Sequence, residues 1–371
     1  MLPPRIVRRL VFAPLVAVIT VAAVVLSPLL VLLAAVTAPS RPGRRRALRL
    51  IWFALAWLAM ETTALFACLG LWIASGFGGR LRSDASMDRH YELVRWFLAT
   101  LFRMAMRIFR LQVEIEEPPA TPEEMASRLT RPVIVLSRHA GPGDSFLLVH
   151  HLLSLYRRKP RIVMKAALQY DPSLDVVINR LPHAFVHPRR GPDRETATTF
   201  GVRAADEPPT PGGVVEEIRR LASSLGPTGA LVIFPEGGNF TPSRWRRGIS
   251  RLEASRRHEE ARRARGLAHL LPPRSGGAFA AIDAAPTADV IFVAHTGLDD
   301  LVTIGDVWRA LPMGQTIKAR WWRVPSSEVP RDREAVVAWL YDWWERIDGW
   351  IAENRQAQAP PAEPLADRYG A

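Results

Sequence analysis

A histidine followed five residues later by an aspartate closes an apolar run in Ser137-Arg138-His139-Ala140-Gly141-Pro142-Gly143-Asp144. The chain then turns through Gly-Pro-Gly into an apolar stretch of helical character, a path that returns the Asp144 carboxylate to the imidazole of His139. A histidine held in one tautomer by a carboxylate is what a general base for a hydroxyl needs, and no serine or cysteine nucleophile has to take part. The plainer reading has Asp144 cap the helix by accepting its first free backbone N–H groups. Spacing alone does not decide, because His295-Thr296-Gly297-Leu298-Asp299-Asp300 repeats it. Phe234-Pro235-Glu236-Gly237 does: it ends the run Ala230-Leu231-Val232-Ile233, downstream of His139 and upstream of His295. A strand followed by proline, an acid and glycine presents backbone N–H groups and one carboxylate at the C-terminal edge of a sheet, where α/β sites gather.

The elements that must position these groups alternate in kind. Strand-like runs at Pro132–Ser137, Arg161–Met164, Ala184–His187, Ala230–Phe234 and Asp289–Ala294 are interleaved with helical patterns at Ser145–Arg158, Val214–Leu225 and Arg333–Glu353. That alternation predicts an α/β domain, a mostly parallel sheet flanked by helices, over 132–355. Thr196–Gly213, with three prolines, reads as a loop, and 356–371 as a flexible C-terminal tail.

Ahead of this domain the chain is of a different kind. Val11–Ala38 contains no charged residue, and Leu50–Gly79 contains only Glu61. The first run, as a helix, would reach about 42 Å against a hydrocarbon core of roughly 30 Å. A cleaved signal peptide is the competing reading, since Arg5, Arg8 and Arg9 precede the run. Its length and the second apolar run argue against that. Basic residues before, between and after the two runs favour a membrane-embedded helical hairpin over 1–80, entering from the cytoplasmic side, with Glu61 near water. Residues 81–131 supply an amphipathic helix, with Leu93, Phe97, Leu101, Met104 and Ile108 on one face, and then a connector from Glu114 rich in Pro, Glu and Thr.

The net charge of +13 calls for an anionic partner, namely nucleic acid, a membrane surface or a phosphorylated substrate. No nucleic-acid-binding module is recognisable, and the arginine excess is spread over membrane-proximal segments, so nucleic acid is not expected as a partner. The single cysteine, Cys68, lies within an apolar run and excludes a disulfide framework or a cysteine-based zinc site. The basic stretch Ser243–Arg265 reads as a solvated helix or as a contact for anionic lipid headgroups. Trp321, Trp322, Trp339, Trp343, Trp344 and Trp350 fit either helix packing or a membrane interface.

With these residues in view, the chain resembles the glycerolipid acyltransferase family that contains the 1-acylglycerol-3-phosphate and lysophospholipid acyltransferases. The family's His-x4-Asp block matches His139 and Asp144, and its Phe-Pro-Glu-Gly block matches Phe234 to Gly237. The resemblance implies acyl transfer from acyl-CoA or acyl-carrier protein to a lysophospholipid hydroxyl, with no metal and no resident cofactor. It also implies membrane lipids as partners and a cell-membrane location with the catalytic domain cytoplasmic. By the same resemblance, His139 and Asp144 are catalytic, while Arg189, Arg190, Glu236, Gly237 and Arg274 bind substrate. Glu236 is expected to orient the acceptor or its loop, and backbone N–H groups near Gly141 or Gly237 to hold the oxyanion. The chain departs from the family pattern in two places. Pro188 stands where the phosphate-binding arginine usually follows its strand, which transfers that role to Arg189 or Arg190. Gly238-Asn239 replaces the more usual Thr-Arg or Ser-Arg. Outside the resemblance, the alternatives are a membrane-tethered basic binding protein without catalysis and an acyl-thioesterase.

Overall fold

The computed structural model describes residues 3–37, 46–119, 121, 122, 130–187, 201, 202, 213–299, 311 and 313–356. Its strands are β1 (Gln112–Glu116), β2 (Val133–Ser137), β3 (Lys159–Lys165), β4 (Ala184–His187), β5 (Gly201–Val202), β6 (Gly229–Ile233), β7 (Asp289–Thr296) and β8 (Thr316–Val324). They form one sheet in the order β1-β8-β7-β2-β6-β3-β4-β5. The five central strands, β7, β2, β6, β3 and β4, run parallel. β8 is antiparallel to β7 and β5 to β4, while β1 is parallel to β8.

The central strands read as unbroken apolar runs because both of their faces are covered. From β2, Ile134 and Leu136 join Leu231, Ile233, Val290 and Phe292 against helices α6 (Gly213–Ser223), α9 (Ser275–Ala284) and α10 (Arg333–Gln356). The alternate residues Val133 and Val135 join Ala230 and Val232 under α4 (Pro142–Ser154), whose Leu148 and Leu152 reach them. On that side lie also α2 (Arg46–Ala74), α3 (Asp84–Phe109) and α5 (Pro172–Ile178), which share a second core of Met60, Ala64, Cys68, Phe97, Leu101, Val177 and Leu181. Two short basic helices, α7 (Pro242–Ala254) and α8 (His258–Arg265), lie between β6 and α9 in the chain.

Several expectations are corrected. The amphipathic helix ends at Phe109, with Arg110 in the left-handed region (φ 56°), and Gln112–Glu116 then forms a strand where the connector was expected to begin. Thr196–Gly213 is not wholly a loop, since Gly201–Val202 pairs with β4. Trp321 and Trp322 are buried on β8, and Trp344 and Trp350 are buried on α10, so packing rather than a membrane interface accounts for them. In the basic stretch, Arg257, Arg262 and Arg265 pair with Glu260, Glu259 and Glu253, and Arg263 pairs with Asp342 and Glu345. The expected tail 356–371 lies outside the described residues save for Gln356.

Helix α1 (Ala13–Thr37) continues a π turn at Arg8–Phe12 and runs on through Pro28. Two helices, Arg5–Ala34 and Arg46–Ala74, are long and apolar enough to cross a membrane. They touch at mid-length, where Thr20 Oγ1 meets Thr62 Oγ1 at 2.8 Å. α2 does not project from the domain but lies along it. Near its start, Arg46 donates to Leu311 O at 2.6 Å and Arg49 bonds Ile108 O; near its end, Arg180 Nη1 donates to Cys68 O at 2.7 Å. The face turned inward carries Glu61, which is 3% exposed beside Asp171 and Ser173 and thus not in water as expected.

The start of the first apolar segment is pinned in the same way. The buried Arg8 guanidinium donates to Asp175 Oδ1 at 2.7 Å and to Gln169 Oε1 at 2.8 Å. The segment before α1 is thus docked to α5 through a buried ion pair. Asp175→Ala would leave Arg8 as an uncompensated buried charge, at a cost of about 3–5 kcal/mol. The expected result is a lower melting temperature in detergent together with faster tryptic cleavage near Arg8. An unchanged melting temperature would show that Arg8 is solvated.

Candidate active site

β2, β6 and β7 end side by side, so the segments that follow them meet at one edge of the sheet. After β2 the chain leaves the sheet at Arg138 and re-enters helix at Pro142, whose fixed φ and missing N–H suit the first helical position. The turn folds back on Asp144. Asp144 Oδ2 accepts the N–H of Ala140 at 2.6 Å and of Gly141 at 3.0 Å, and lies 3.2 Å from His139 Nδ1; Oδ1 accepts from Ser145 Oγ at 3.2 Å. Capping and orientation are therefore served by one carboxylate, although it receives the N–H groups before the helix rather than those of its first turn. Burial raises the Asp144 carboxyl, but the hydrogen bond from His139, the nearby His295 and His139 imidazoles and the Gly141 N–H outweigh it and hold it at about 2. With Nδ1 facing an ionised carboxylate, the proton of neutral His139 belongs on Nδ1 and Nε2 is the basic nitrogen.

The turn after β6 completes this frame. Phe234 sets its ring 4.8 Å from the His139 imidazole, and Gly237 donates back to Phe234 O at 3.0 Å. Glu236, 2% exposed, accepts His139 N–H on Oε1 at 2.8 Å and Leu271 N–H on Oε2 at 2.9 Å. Burial pushes its carboxyl up to about 7, against Arg138 and those two N–H groups. Both oxygens accept from backbone, so Glu236 ties the His139 loop to Leu271. The two N–H groups expected to hold an oxyanion are also engaged, Gly141 by Asp144 and Gly237 by Phe234.

This arrangement falls within a stretch that a protein-family model recognises: the one described as Acyltransferase matches residues 111–296. The chain belongs to this family, the glycerolipid acyltransferases. No curated protein and no solved structure matches the chain.

In this acyltransferase, an apolar cavity of about 590 Å³ is lined by His139, Phe234, Gly237 and Arg274 and by the apolar Phe97, Val149, Val177 and Leu181. Ala64 of α2 contributes to it as well. Gly237 has φ +68°, and a Cβ there would come 2.8 Å from the Arg274 guanidinium carbon, so only glycine lets this arginine lie over the turn. Arg274 donates its N–H to Pro235 O at 2.9 Å; burial, followed by the Arg251 and Arg244 guanidiniums, pushes its pKa down. Arg244 in turn packs over Gly238 and donates to Asn239 O at 3.2 Å. Arg244 and Arg251 escaped the sequence reading because they lie in a stretch taken as a solvated or lipid-facing helix. Their seven-residue spacing, which places both on one helix face shortly after Phe-Pro-Glu-Gly, was the available signal. Arg189 and Arg190 lie outside the described residues.

The second His-x4-Asp is not remote from the first. Arg138, 2% exposed, donates to His295 O at 2.6 Å and to Asp299 Oδ1 at 2.5 Å. Burial, and next the Arg138 guanidinium, lower the His295 imidazole to about 4, with Asp144 and Asp299 pulling the other way. The folded protein therefore keeps His295 neutral, whereas the unfolded chain binds a proton below the ordinary value of 6.5. Stability is full above that value and falls as pH drops towards 4, by about 1.4 kcal/mol per pH unit for this residue. Melting temperatures measured from about pH 7.5 to about pH 4.5 should decline, and His295→Leu should flatten the decline. Parallel curves for the two proteins would contradict a neutral His295.

Proposed function

We propose that the protein transfers a fatty acyl group from an acyl thioester, acyl-CoA or acyl-carrier protein, to a lysophospholipid hydroxyl, with 1-acylglycerol-3-phosphate the foremost acceptor. The observation that carries this reading is an oriented His139–Asp144 pair whose imidazole lines an apolar cavity. Its volume lies within the roughly 300–1,000 Å³ of small-molecule sites.

His139 Nε2 removes the proton from the acceptor hydroxyl, and its oxygen attacks the thioester carbonyl carbon. Asp144 keeps Nδ1 protonated and stabilises the imidazolium. When the C–S bond breaks, the thiolate leaves and takes the proton from Nε2, which returns His139 to its starting form. Transfer is direct. The serines beside the pair are committed elsewhere, Ser137 Oγ to Arg138 O and Ser145 Oγ to Asp144, and Cys68 is buried against the hairpin side. The oxyanion falls to the positive end of α4 rather than to Gly141 or Gly237.

Arg274, with Arg244 and Arg251 behind it, supplies the positive field for a phosphate on the acceptor or the donor. Arg244 thereby takes the place left by Asn239, where the family usually carries an arginine. The hairpin lies in the cytoplasmic leaflet of the cell membrane with the catalytic domain against it; α2, held along the domain at both ends, favours lying in one leaflet over spanning both.

His139→Ala and Asp144→Asn should each lower acyl transfer by about 10²–10⁴-fold or more with expression and folding retained. The readout is mass spectrometry of lipids formed from purified protein, mixed lysolipids and acyl-CoA. Wild-type rates in His139→Ala would end the assignment, and thiol release without an acylated lipid would replace transfer by hydrolysis. Val177→Trp, which fills the cavity, should shift donor preference to shorter acyl chains; an unchanged chain-length profile would place the acyl chain elsewhere.

A further inference from the structure

We infer that His295 is a positioning residue: from the strand beside β2 it holds the Asp144 carboxylate in the orientation that keeps the proton on His139 Nδ1. This rests on the proposed roles of His139 and Asp144. β7 pairs with β2 in register, Ser137 opposite Val293, so His295 leaves the sheet at the level of His139. Its side chain is 6% exposed. Nε2 faces two groups that only accept, Arg138 O at 3.4 Å and Asp144 Oδ2 at 3.6 Å, while Nδ1 has no hydrogen-bond partner. Nε2 therefore carries the hydrogen and donates it to Arg138 O, with the Asp144 oxygen that takes His139, Ala140 and Gly141 close enough to feel the N–H dipole. At 3.6 Å the contact with Asp144 is electrostatic.

The strand-end loop that carries His295 is built for this placement. Asp299 accepts from Thr296 Oγ1 at 2.9 Å and from Gly297 N–H at 3.1 Å, and its other oxygen takes Arg138. Gly297 has φ +104°, and a Cβ there would come 2.6 Å from Thr316 O, so the turn admits only glycine. The residue before His139 and the loop after β7 are thus locked together by a buried ion pair. His139 lines the cavity beside Phe234 and Arg274, whereas His295 lines, with Asp144, a second cavity of about 470 Å³. As a neutral donor it aligns the carboxylate without cancelling the charge that His139 needs.

The test is steady-state kinetics of the purified full-length protein in detergent with acyl-CoA and lysophosphatidate. His295→Leu should lower kcat about tenfold while both KM values stay within about twofold. His295→Gln, whose amide reaches the Nε2 position, should recover to within about threefold of wild type at an equal melting temperature. Should the leucine variant not fold, His295→Met is read in its place. Wild-type kcat in the apolar variant, or a glutamine variant as slow as the apolar one, overturns the inference. An active His139→Ala would instead remove the reading beneath it, so the two failures are distinguishable.

Discussion

A buried carboxylate cannot remain charged without donors, and that constraint shapes the edge where β2, β6 and β7 end. Asp144 is 3% exposed, yet it is held ionised by two backbone N–H groups, a hydroxyl and two imidazoles gathered round it. The Gly-Pro-Gly turn is bent so that the N–H groups before the helix point back at the carboxylate, and His139 comes with them. Removing the charge would release the turn as well as the imidazole, so geometry and chemistry share one cause. Glu236 repeats the device from β6, spending both oxygens on the backbone of His139 and Leu271. The imidazole is thus fixed from its side chain by one acid and from its backbone by another.

The sheet's parallel order makes this convergence possible, since three strands must deliver their C-terminal ends to one edge. Around it, the N-terminal helices belong to the fold itself. α2 shares a core with α3, α4 and α5, and the buried Arg8–Asp175 pair secures the turn that leads into α1. Much of the apolar surface of α1 and the turn before it, including Leu10, Val18, Val25 and Leu32, is covered by nothing among the described residues. An apolar surface of that extent on a helix docked to a soluble-looking domain is what lipid would cover.

Much of this was legible in the sequence because it rests on local pattern. The apolar runs marked the five central strands, and the order of His139 before Phe-Pro-Glu-Gly selected one of two identical spacings. What the sequence hid depends on neighbours in space. His295 looked like a rival of His139, and only the pairing of β2 with β7 shows that the two loops brace each other. β1 alternates polar and apolar residues and finds its partner some two hundred residues later, so Gln112–Glu116 passed for a helix end and connector. Trp321 and Trp322 point to opposite faces of β8 and are buried on both, which adjacent tryptophans in a linear reading do not reveal. Glu61 was placed near water on the cost of burying a charge in lipid; the helix face that carries it turns to protein instead.

One wall of the apolar cavity is Ala64, a residue of a helix apolar enough for the bilayer. In the proposed one-leaflet placement, the cavity and the lipid phase would share a partition one helix thick, and a chain would pass between them without crossing water. Encounter then becomes a two-dimensional event. The acceptor's effective concentration is its mole fraction in the membrane, the transit of a long chain avoids an aqueous solvation barrier, and turnover follows the composition of the leaflet rather than the amount of lipid in the suspension.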